Sequence, residues 1–154
     1  MNRVQRLSPI VELAENKEKQ AAQALGQSQQ KLDAVRKSLQ SLVSFRQNYA
    51  AQFHQSGNQG LGVRQLHEYR AFLNKINLAI ADQEKAFAQA EESLRHSRQL
   101  WEEAHRHSLG MHKMVDKLRW EQEQKDQKRE QNEQDERASR KGSNGGKTLL
   151  SLFI

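Results

Sequence analysis

Three groups of residues are of types that carry chemistry. The run Gly142-Ser143-Asn144-Gly145-Gly146-Lys147-Thr148 looks like a phosphate-cradling loop, in which backbone N–H groups and a lysine hold a nucleotide. That loop needs four residues between its first glycine and the Gly-Lys pair, and it must follow a strand. Here only three separate Gly142 from Gly146, and a charged helical pattern precedes them. The histidines His96, His105, His107 and His112 are metal-ligand types. Ligands on a helix need an i,i+3 or i,i+4 pair. None of the four is so spaced, no carboxylate completes a set, and the histidines are read as exposed polar positions. The serines Ser28, Ser97 and Ser108 have no base paired with them. The expectation is therefore no catalytic residue, no cofactor and no metal: a non-enzyme.

The elements that hold these residues explain why. Val4, Leu7, Val11, Ala14, Glu18, Ala21, Leu25, Ser28, Leu32, Val35, Leu39, Leu42, Arg46, Tyr49 and Phe53 are spaced alternately three and four apart. Leu66, Tyr69, Leu73, Ile76, Ile80, Gln83, Phe87, Ala90, Leu94, Ser97, Trp101, Ala104, Ser108, Met111, Val115 and Leu118 repeat the spacing. Only three rungs of each ladder are not apolar, so each helix carries one narrow seven-residue-repeat stripe. Two such helices joined by a short turn predict an all-α fold, an antiparallel coiled-coil hairpin with the second helix longer. The ladder has no place for a cavity. Polar rungs such as Glu18, Arg46 and Gln83 set register at a cost in stability, and the seam serines relieve packing or loosen register.

Boundaries follow from local signals. Ser8-Pro9 is a capping serine before a first-turn proline, so helix one is expected over 8–53, roughly 70 Å. Residues 54–63 contain Gly57, Gly60 and Gly62, which tolerate left-handed backbone, and form the expected turn. Helix two is expected over 64–140, on the order of 110 Å, with helix one covering it to about residue 115. Beyond Leu118 the apolar rungs stop, and charges of both signs alternate as on a solvated single helix. Residues 1–141 thus form the hairpin, and the Gly/Ser-rich 142–154 a flexible tail.

Charge excludes some partners. The net charge is +6, with eight basic and four acidic residues in 1–53 and seven of each in 54–112. That is a mildly basic end suited to an acidic surface, not the clustered stripe that nucleic acid needs. No apolar run is long enough to span a membrane, the first fifteen residues lack the apolar core of a leader, and there is no cysteine. A cytoplasmic home is expected.

Phe72 and Trp120 are aromatic residues outside the ladders. Phe72 lies one position before Leu73, and with Ile76, Ala79 and Gln83 makes a 4-3-4 strip along one side of helix two. Either it contacts a partner or it shields the turn end of the seam near Phe53; the residues alone leave both open. Trp120 lies beyond the covered region and reads as a partner surface.

The turn GNQGLG, the helix start VRQLHEYRAFLNKINLAI and the hairpin pattern over most of 5–141 resemble the FliJ family of flagellar export proteins. The most specific part is Tyr69, Phe72, Leu73, Ala79 and Ile80 after a Gly/Asn loop. The resemblance implies a coiled coil similar to the central stalk of rotary ATP synthases. Its helix termini would enter the hexamer of the export ATPase FliI and promote ring assembly. It also implies contact with the cytoplasmic domain of the export gate FlhA and with export chaperones, peripheral at the cytoplasmic face of the inner membrane. The family's gate strip of phenylalanine, leucine, alanine and histidine matches Phe72, Ile76, Ala79 and Gln83, with glutamine departing from the pattern. The resemblance tips Phe72 towards function. The ring end is expected around residues 3–25 and 100–140, with Arg3, Arg6, Leu7, Val11, Val115, Leu118 and Trp120 as contacts. An injectisome stalk or a self-associating coiled-coil scaffold or chaperone are the alternatives.

Overall fold

The computed structural model describes residues 2–58, 60 and 62–152, with side chains described as far as residue 144. The fold is all-α: two long helices, α1 (Arg3–Gly57) and α2 (Val63–Leu152), pack against each other.

α1 begins five residues before the expected Ser8 because a different cap operates. The Asn2 side chain accepts from the Gln5 backbone N–H at 2.8 Å, and the Asn2 N–H donates back to Gln5 Oε1 at 3.3 Å. This reciprocal capping box satisfies two otherwise orphaned donors. Pro9 consequently lies inside α1. It removes the bond to the Gln5 carbonyl, but both residues are exposed, so that carbonyl stays within reach of water.

The turn is shorter than expected, from residue 58 to 62. Of its glycines Gly60 alone has positive φ, at 89°, and its N–H donates to the Gly57 carbonyl at 3.2 Å. Gly62 caps α2: its N–H donates to Gln65 Oε1 at 3.2 Å and its carbonyl accepts from Leu66 N–H at 3.2 Å. The stretch expected as a flexible tail from Gly142 continues α2 as helical backbone to Leu152. Glycine permits a left-handed stop without imposing one, and Gly142 does not take that conformation. Phe153 and Ile154 lie outside the described residues.

The chain divides into two units, residues 1–14 with 107–154 and residues 15–106. In the first, Ala14, Ser108, Met111 and Val115 are buried, while Val4, Leu7, Val11 and Leu118 are half-buried. Cover reaches Glu121 rather than ending near 115, because α1 starts earlier; every residue from 122 to 144 is exposed. In the second, Leu32, Ala90 and Leu94 form a core with Leu25 and Phe87 against it, and Ile76 and Ile80 are buried. The pairing there is antiparallel. As α1 advances through Glu18, Ser28, Arg46 and Phe53, its partners on α2 retreat through His105, Ser97, Asn77 and Tyr69. All fifteen rungs of the first ladder are buried or half-buried, and in the second only Leu66 is exposed, at 38%.

Candidate partner-binding surfaces

Near the turn, within residues 15–106, five rings alternate between the helices. Phe53 stacks on Tyr69 with centroids 3.8 Å apart, Tyr69 on Tyr49 at 5.7 Å, Tyr49 tilts against Phe72 at 3.9 Å, and Phe72 meets Phe45 edge-on at 5.5 Å. Phe72 is thus half-buried against Tyr49 and Phe45, with two rings, Tyr49 and Tyr69, between it and the Phe53 that sequence pointed to. Ile76 is only 5% exposed and belongs to the seam, so a partner at this strip would not touch it directly. Ala79 and Gln83 are half-buried and keep an edge in solvent. Phe45 is 55% exposed and was not among the expected contacts. Its only sequence signal is its place one position before the rung Arg46, the same flank that Phe72 occupies beside Leu73.

In the unit of residues 1–14 and 107–154, an open groove of about 350 Å³ is lined by Arg3, Arg6, Leu7, Met114 and Leu118. It brings together four of the seven expected ring contacts. Val11 and Val115 lie in the seam instead, half-buried and buried. Trp120 is 61% exposed but does not line the groove. Met114, 49% exposed, is the member that the ladders missed, because it sits one position before the rung Val115.

The family described as "Flagellar FliJ protein" matches residues 3–147, nearly the whole chain. The chain belongs to the FliJ family. It is therefore a component related to flagellar protein export, in a family of non-catalytic export proteins. No curated protein and no solved structure matches it. Among the described residues no helix is long and apolar enough to cross a membrane, and no three His, Asp or Glu residues gather in a metal-holding group.

In this FliJ-family chain four of the six polar rungs, Glu18, Ser28, Arg46 and Ser97, are partnered by the other helix rather than merely tolerated. Ser28 and Ser97 hydroxyls lie 2.8 Å apart across the seam. Arg46 Nη1 donates to Asn77 Oδ1 at 2.9 Å. Glu18 Oε1 lies 2.6 Å from His105 Nδ1, and the His105 ring stacks on Trp101 at 4.9 Å. His105 is thus a half-buried bridge between helices, not the exposed polar position expected of it. A spacing rule within one helix misses a carboxylate supplied by the other. Ser108 is 3% exposed, and no buried side-chain polar atom among the described residues lacks a partner. Each satisfied pair penalises a slipped register, in which the same groups would be buried unmatched.

Proposed function

We propose that this chain is a stalk-like, non-enzymatic factor of flagellar export. It binds the hexamer of the export ATPase FliI, promotes ring assembly and activity, and couples the ring to the cytoplasmic domain of the export gate FlhA and to export chaperones. It works in the cytoplasm, peripheral at the inner membrane through the export apparatus alone. The observation that carries this reading is the α2 stretch 122–144, in which every side chain is exposed and charges of both signs alternate. A helix continuing well past its intramolecular partner is a shape that a surrounding ring can grip. Arg3, Arg6, Leu7, Leu118 and Trp120 supply surface beside it, and Val11 and Val115 hold the seam beneath.

For the gate, the exposed edges of Phe72, Ala79 and Gln83 are the contact, and Ile76 supports them from the seam. Removal of residues 122–154 should abolish stimulation of the ATPase while gate binding persists. Stimulation left intact by that truncation would contradict the ring assignment. Sedimentation of the isolated chain as a monomer would separate a stalk from a self-associating scaffold, and loss of swimming on gene deletion would separate flagellar from injectisome service.

A further inference from the structure

The groove of residues 1–14 and 107–154 combines apolar side chains with unpaired positive charge. Half-buried Leu7 and Leu118 line it together with the exposed Met114, Arg3 and Arg6. Arg3, Arg6, Ile10 and Leu13 are spaced 3-4-3 along α1, so the stripe that enters the groove continues as Ile10 and Leu13, 47% and 55% exposed. Lys117, three residues after Met114, is exposed on the same side of α2. Among the described residues neither arginine makes an ion pair. Glu121 borders the neighbouring cleft with Arg3 and Lys125, and among the described residues no carboxylate lines this groove.

From this arrangement we infer that the groove takes an amphipathic helix whose apolar face is flanked by Asp or Glu, supplied by the ATPase ring. The assignment of the ring as supplier rests on the function proposed above; the chemistry of the occupant does not. Exposed apolar side chains in one stripe mark docking surfaces, and a groove between two helices accepts a third by its i, i+3/i+4, i+7 anchors. The thioether of Met114 adapts to varied anchors. Arg3, Arg6 and Lys117 select acidic flanks and repel basic ones.

The test uses the full chain and a labelled synthetic helix of about 15 residues with a leucine stripe flanked by glutamates, against the same helix flanked by lysines. Fluorescence anisotropy should show saturable binding of the glutamate helix, with the lysine helix roughly tenfold weaker or worse. Met114→Glu should weaken the glutamate helix at least about tenfold. The double change Arg3→Glu with Arg6→Glu should reverse the preference, a readout that simple unfolding cannot produce. Val63→Glu, at a residue 74% exposed outside this unit, should change nothing. Equal binding of both helices, insensitivity to Met114→Glu, or equal loss in Val63→Glu would overturn the inference. The same variants then meet the purified ATPase. If the glutamate helix binds as stated but the ATPase does not, the occupant chemistry stands and the ring assignment falls. If the ATPase binds every variant alike, the ring assignment stands and the groove is not its seat.

Discussion

Phe72 lies against Tyr49 with ring centroids 3.9 Å apart, so the phenylalanine proposed above as a gate contact is also part of the packing that holds the hairpin together. Phe72→Ala removes contacts with both Tyr49 and Phe45. It should lower unfolding stability by about 1–3 kcal/mol, measured by urea titration of the helical signal. Unchanged stability would mean that the ring packs for a partner alone.

Phe45 offers a cleaner probe of the proposed gate surface. Its ring is 55% exposed and touches Phe72 only by an edge. Phe45→Ala should cost less than about 1 kcal/mol of stability while weakening gate binding, read by titration calorimetry against the FlhA cytoplasmic domain.

The Ser28–Ser97 pair should behave asymmetrically. Either single change to alanine strands one hydroxyl in the seam and should cost about 1 kcal/mol, whereas the double change should cost little more than one single. A double-mutant cycle of thermal melts checks this, and additive losses would show that the hydroxyls do not act as a pair.

At the turn, Gly60 has φ of 89°, and no atom lies within 4 Å of the point where an alanine methyl would stand, so Gly60→Ala strains the backbone without a clash. A loss of about 1 kcal/mol is expected in thermal melts, against near neutrality for Gly62→Ala, which has neither positive φ nor a close neighbour.

The capping box is testable by exchange. Asn2→Ala should speed amide exchange over residues 3–6 and cost about 0.5–1 kcal/mol, while Asn2→Asp should restore protection because its carboxylate accepts the same N–H.

The seam was the most legible part of this chain. A 3-4 repeat fixes which residues face inward, and from Val4 to Phe53 each rung is covered. Phe45 and Met114 were not legible, because periodicity defines the stripe but not the flank on which the two helices leave apolar surface uncovered. The start of α1 was misplaced because Ser8-Pro9 and Asn2-x-x-Gln5 are both plausible caps, and only geometry shows that the second is formed. Glu18–His105 escaped because its partners are distant in sequence and meet only once register is known.

As proposed above, this hairpin is a ring-binding stalk without activity of its own. Titration of the full chain into purified export ATPase, following turnover and ring assembly together, tests this most directly. Both should rise and saturate, with no turnover from the chain alone. Saturating amounts that leave both turnover and assembly unchanged would contradict it.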